Sequence, residues 1–153
     1  MIKDIAVKMY KIILFSVFII GICSCSKNNE PVQHITYKDG VYKAFSSIKD
    51  DWGGTAEVEI HIKNNQITEC IFISYEKNGN VKGSEYGKVD GVIKNMGLYK
   101  IAQASVLRSA EYGKKLIEVQ NIDKVDAISG ATVSYKLFKD AVEIALQNAI
   151  EQE

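Results

Sequence analysis

Apolar and polar residues alternate with period two through Ala56, Val58, Ile60 and Ile62, with Glu57, Glu59 and His61 between them. That period predicts a half-buried strand. It runs into Asn64-Asn65, a pair that tolerates the backbone of a tight hairpin turn, so a second strand from Gln66 to Tyr75 is expected to return beside it. The alternation falters around Glu69 and Cys70, which marks either a bulge or a strand covered on both faces. Upstream, a turn at Asp39-Gly40 leads into an alternating run through Val41, Tyr42, Ala44 and Phe45, and the polar break SIKDDWGG follows. Glu76 to Lys88 is polar, holds three glycines and reads as a loop. From about Asn95 to Gln120 the spacing becomes helical through Leu98, Ile101, Ala102, Ser105, Val106 and Ser109, with Gly113 as a break before Leu116 and Val119. A last helix, from about Ser134 to Ala149, sets Phe138, Ala141, Val142, Ala145 and Ala149 on one stripe, opposite Lys136, Lys139, Asp140, Glu143 and Gln147. Strands first and helices after predict an α+β fold, a small antiparallel sheet packed with helices. No internal repeat is visible.

The N-terminal segment changes the picture. A Lys-bearing head leads into an apolar run from Ile12 to Cys23, short for a membrane span and suited to the h-region of a secretory signal. Its exit, Ile22-Cys23-Ser24-Cys25, resembles the lipobox of bacterial lipoproteins, with small residues before the cut and Cys25 as the lipidated first residue. Lipidation at Cys23 would put the bulky Ile22 at the cut; an uncleaved anchor is the other reading. The chain thus divides into a signal peptide (1–24), a tether (25–35) that is polar and holds the only proline, and one folded domain (36–153). Cleavage leaves 16 Lys and Arg against 18 Asp and Glu, a mildly acidic domain that lacks the concentrated basic face nucleic acid requires. Cys70 is then without an intramolecular partner and reads as a small core residue.

Candidate chemistry lies between the last two helices, in VDAISGATVS, Val125 to Ser134. Gly130 permits a tight turn, Ala131 leaves room for a bulky group, and Thr132 presents a hydroxyl at the mouth of an amphipathic helix. A helix N-terminus offers free N–H groups and a dipole that favours an anion by about 0.3–1 kcal/mol. The same residues also compose an ordinary helix start, with Ser129, Thr132 or Ser134 as the cap. A serine hydrolase would need a base, and the chain offers only His34 in the tether and His61, which points away from the Ile60 and Ile62 face. Neither histidine has neighbours at metal-ligand spacing, and Asp50-Asp51 reads as a solvated turn. Trp52, beside two glycines, is open to two roles, a shield over a bound ring or a core plug.

In order and spacing DAISGAT, Asp126 to Thr132, resembles the flavinylation motif of the FMN-binding domain family: Asp, two residues, Ser or Thr, Gly, Ala, Thr. That family includes a flavin-bearing component of the sodium-pumping NADH:quinone oxidoreductase and small flavin lipoproteins of extracellular electron transfer. KDGVY at Lys38 to Tyr42, Trp52 to Gly54, AEVEIHIKNNQIT at Ala56 to Thr68 and AVEIAL at Ala141 to Leu146 resemble the lipoprotein branch. The members from respiratory complexes carry a Thr-Pro-Gly loop after the second strand, where this chain has NGNVKGSEYG at Asn78 to Gly87. The resemblance implies FMN as cofactor, joined through a phosphoester to Thr132 by a separate flavin transferase that uses FAD and a divalent metal. Asp126, Ser129, Gly130 and Ala131 then serve recognition or cradle the phosphate. It further implies an electron carrier rather than an enzyme, lipid-anchored outside the cytoplasm of a bacterial membrane and fed by a membrane-bound donor such as a quinone-linked reductase. The alternative is a noncatalytic lipoprotein module that binds FMN or another ligand noncovalently.

Overall fold

Strand β1, Gly40–Phe45, pairs antiparallel with β2, Thr55–Lys63, which pairs antiparallel with β3, Gln66–Tyr75. In the computed structural model of the chain these elements belong to residues 35–150, the part described. The expected signal peptide, Cys25 and the expected tether through His34 lie outside it. The period-two pattern does what it predicts: Ala56, Val58, Ile60 and Ile62 are buried, while the residues between them face outward. Asn64 and Asn65 both take left-handed backbone, at φ 52° and 59°, closing a two-residue hairpin whose twist suits the strands. The faltering alternation in β3 is a bulge, since His61 pairs with Glu69 but Ile62 pairs with Ile67, so Thr68 is the extra residue.

Helix α1 spans Met96–Ser109, α2 spans Tyr112–Val119, and a 3-10 turn at Ile122–Lys124 leads toward α3, Thr132–Ala149. α3 lies across β1 and β2, and α2 packs on β3, so the sheet has one face against helices. The α+β expectation holds. The expected stripe of α3 is buried, and Phe138 anchors an aromatic cluster, edge-on to Phe72 at 5.1 Å and stacked with Tyr112 at 5.3 Å. Cys70, half-buried on the inner face, packs against this core, and burial pushes its thiol up to about 12.

Two helix boundaries differ from expectation. The break in the long helical run falls at Ala110 and Glu111, and Gly113 lies inside α2. Glycine is there because a Cβ would collide with the Cys70 carbonyl; the residue lets helix and strand approach. The last helix opens at Thr132, two residues before Ser134.

Candidate functional site

Asn121 starts the approach to the site by capping the 3-10 turn, its side chain accepting from the Asp123 N–H at 2.8 Å. Val125 is buried, and the chain then turns through Ile128 to Ala131, where the Ala131 N–H donates to the Ile128 carbonyl at 2.9 Å. Gly130 takes φ 79°, so the backbone there favours glycine, and a Cβ would displace the flexible end of the Arg108 side chain. Two side chains from the α1–α2 corner hold this turn. Arg108 Nη1 donates to the Ser129 carbonyl at 2.9 Å. The fully buried Tyr112 hydroxyl accepts from the Ile128 N–H at 2.9 Å and donates to the Ala131 carbonyl at 3.1 Å. Burial raises the Tyr112 phenol above its ordinary range, which keeps that donor protonated.

The helix that follows is uncapped. Its N-cap is Ala131, no side chain bonds its first turn, and Tyr135 makes the bond back to the Ala131 carbonyl at 3.0 Å. None of Ser129, Thr132 and Ser134 fills the cap role that the sequence allowed them. The N–H groups of the first turn are therefore left for an outside acceptor. The Thr132 side chain is exposed and, among the described residues, makes no hydrogen bond.

Thr132 and Gly130 lie on the wall of a cavity of about 750 Å³, within the 300–1,000 Å³ typical of small-molecule sites. The whole expected stripe of α1, Leu98, Ile101, Ala102, Ser105, Val106 and Ser109, lines this cavity. A stripe of this kind ordinarily packs as core. Here Ile101 remains 67% exposed, and Ser109 is the buried residue of the helix.

Another part of the wall is polar. Asp50, expected in a solvated turn, is buried: its side chain is 0% exposed and paired with Lys82, itself 9% exposed. Asp50 also accepts from the Gly54 N–H at 2.7 Å and the Trp52 N–H at 3.0 Å. Burial pushes its carboxyl up, but the Lys82 ammonium and these two N–H groups outweigh burial and hold it below the usual carboxylate range. A cation 32 residues away explains why the pair of aspartates looks solvent-facing in sequence. Beside Lys82, the Ser74 hydroxyl is buried without a hydrogen-bond partner. Trp52 is 68% exposed and lines the same cavity, which excludes the core-plug reading.

Of the residues expected at a site, Gly130 and Thr132 reach the cavity. Ser129 is exposed and held through its carbonyl, and Asp126 is exposed on the approach. Ala131 does not make room for a ligand, since it is 1% exposed and belongs to the core under the turn. Its small side chain suits the close approach of Tyr112. Tyr112, Arg108, Lys82 and Ser74 carried no motif signal. His61 sits with Glu59 and Glu69, at 2.9 and 3.3 Å, away from the cavity. Among the described residues no group of three or more His, Cys, Asp or Glu side chains is arranged to hold a metal.

A three-stranded sheet, its covering helices and a cavity that meets a helix mouth define an α+β domain built around a small-molecule site. The chain belongs to the FMN-binding domain family, whose model matches residues 51–147. It is similar to a crystal structure of a Clostridium perfringens protein, 27% identical at a TM-score of 0.58, covering 74% of this chain and 89% of that one. A solution NMR structure of a Clostridium thermocellum protein is 25% identical at a TM-score of 0.44, covering 76% of this chain and 95% of that one. A search of curated proteins gives no match.

Proposed function

We propose that the protein carries FMN covalently on Thr132 and relays electrons outside the cytoplasm, anchored to a bacterial membrane by lipid on Cys25. The observation that carries this reading is the Thr132 hydroxyl itself. It ends the DAISGAT run, opens an uncapped helix of 18 residues, and stands unbonded on the wall of a cavity of about 750 Å³ in a domain of the FMN-binding family.

The residues present fit that cofactor. In flavinylation Thr132 Oγ forms a new P–O bond to the FMN phosphorus of FAD, the pyrophosphate bond breaks, AMP leaves, and the hydroxyl proton passes to a base of the transferase. The first-turn N–H groups of α3 and its dipole then stabilise the phosphoester's negative charge. Arg108 and Tyr112 fix the turn that presents Thr132, and the stripe of α1 offers a flat ring an apolar surface to cover. Bound there, FMN supplies reversible one- and two-electron transfer. The electrons come from a membrane-bound donor such as a quinone-linked reductase. A covalent link suits a site outside the cytoplasm, where a dissociated cofactor is lost.

Coexpression with a flavin transferase, followed by a denaturing gel under ultraviolet light, tests the proposal. A fluorescent band at the mass of this chain is expected. A dark band from protein that is yellow before denaturation would favour the noncovalent module instead.

A further inference from the structure

Three features meet on one part of the cavity wall. Lys82 is almost fully enclosed, with its ammonium on Asp50 and 5.0 Å above the Tyr86 ring. The Ser74 hydroxyl is buried without a partner. Backbone pairing sets the two residues side by side, since the Lys82 N–H donates to the Ser74 carbonyl at 2.8 Å. A loop staple would account for the Asp50–Lys82 pair by itself. It leaves unexplained a buried, unsatisfied hydroxyl on the same wall, because such a group is unfavourable unless something supplies its partner. An ammonium also has three donors, and Asp50 does not exhaust them.

Gly54 keeps this corner open. A Cβ there would collide with the Tyr75 carbonyl and come against Asp50 and Lys82. Elsewhere the cavity is lined by the apolar residues Val89, Leu98, Ile101 and Val106, with Trp52 on the same lining. The combination suits a flat, largely apolar ring system with one edge of carbonyl and imide groups.

We propose that Lys82, held in place by Asp50, and the Ser74 hydroxyl recognise the carbonyl-and-imide edge of a flavin ring. The proposal rests on the reading that this cavity takes a flavin, and it does not depend on a covalent bond at Thr132. Lys82 donates to a ring carbonyl, and Ser74 exchanges a hydrogen bond with the imide edge. Lys82 lies in the NGNVKGSEYG loop, so this contact belongs to the chain's own variant of the wall.

Riboflavin tests this directly, because it has the ring and no phosphate to esterify. The full chain, made without a transferase, is titrated with riboflavin while the emission of Trp52, the only tryptophan, is followed with correction for flavin absorbance. The wild type is expected to be quenched saturably. Ser74→Ala, and Asp50→Asn combined with Lys82→Met so that no unpaired charge remains, should each weaken binding about fivefold to tenfold, as loss of a hydrogen bond predicts. Phenazine, a tricyclic without carbonyl groups, should bind these variants as it binds the wild type. Ser74→Ala should also leave the melting temperature unchanged or raised, because its hydroxyl makes no bond in the empty protein. Absence of riboflavin binding to the wild type, an equal loss for phenazine, or unaltered riboflavin affinity in Ser74→Ala would each overturn the proposal. Riboflavin binding without any flavin bonded to Thr132 on coexpression would overturn the covalent reading and leave this one standing.

Discussion

Tyr112 shows how much of the site is set by a side chain outside the motif. Its ring is wedged between Phe138 and Tyr135, and its hydroxyl joins the two ends of the turn that delivers Thr132. Tyr112→Phe keeps the ring and removes both hydrogen bonds, so a stability loss of about 1–3 kcal/mol is expected in denaturant unfolding. The amide of Ile128 should exchange faster, and the initial rate of flavin loading should fall while Thr132 remains the modified residue. Unchanged exchange at Ile128 would contradict the clamp. Asp50 is the second residue whose environment makes a measurable demand. Its folded carboxyl lies below the unfolded value of about 3.9, so its contribution to stability is present above that pH and is lost as pH falls through the folded value. At neutral pH, Lys82→Met leaves the buried carboxylate unpaired and should cost about 3–5 kcal/mol. That deficit should shrink toward pH 3, where Asp50 in the variant takes up a proton. A deficit independent of pH would place the loss in packing instead of charge.

At the scale of elements, legibility depends on where the partner of each pattern lies. The alternation of Thr55–Lys63 and the Asn64-Asn65 turn carry their own geometry, so the hairpin can be read from local residues, whereas the faltering alternation of β3 leaves a bulge and a doubly covered strand open until the register is seen. The stripe of α1 is equally visible, but its target is not, because a helical stripe looks the same whether it faces core or ligand. Gly113 misleads for a related reason: in sequence a glycine signals a break, and the close Cys70 carbonyl that requires it comes from another strand. The consequence for α1 can be measured. With Ser109 as its buried residue and few contacts to α3, its amides should exchange faster than those of α3, whose inner stripe is fully buried. Riboflavin or attached FMN should slow α1 selectively. Equal protection in both helices of the empty protein would contradict the reading of α1 as a lightly packed wall of the cavity.

For the whole molecule, the central motif is legible because DAISGAT holds both its turn glycine and its hydroxyl within seven consecutive residues. The rest of the site is not, since Asp50, Ser74, Lys82 and Tyr112 are brought together by tertiary packing from separate segments. The proposed membrane attachment depends on a different part of the chain. Cys25→Ala should abolish incorporation of a labelled fatty acid, whereas Cys23→Ala should retain it, because the acyl anchor forms at one sulfur and each buried methylene adds about 0.8 kcal/mol to membrane affinity. The reverse pattern would move the anchor to Cys23.

The central claim is that Thr132 is the acceptor of FMN, and intact mass after coexpression with a flavin transferase tests it most directly. The wild type should gain the mass of one FMN less one water, as a phosphoester requires. Thr132→Ala should show no gain while losing less stability than the about 0.5–2 kcal/mol that removal of a cap costs, because α3 draws no side-chain cap from this residue. Ser134→Ala should load normally. An unmodified wild type, or full addition to Thr132→Ala, would contradict the account and leave SGAT as the start of a helix.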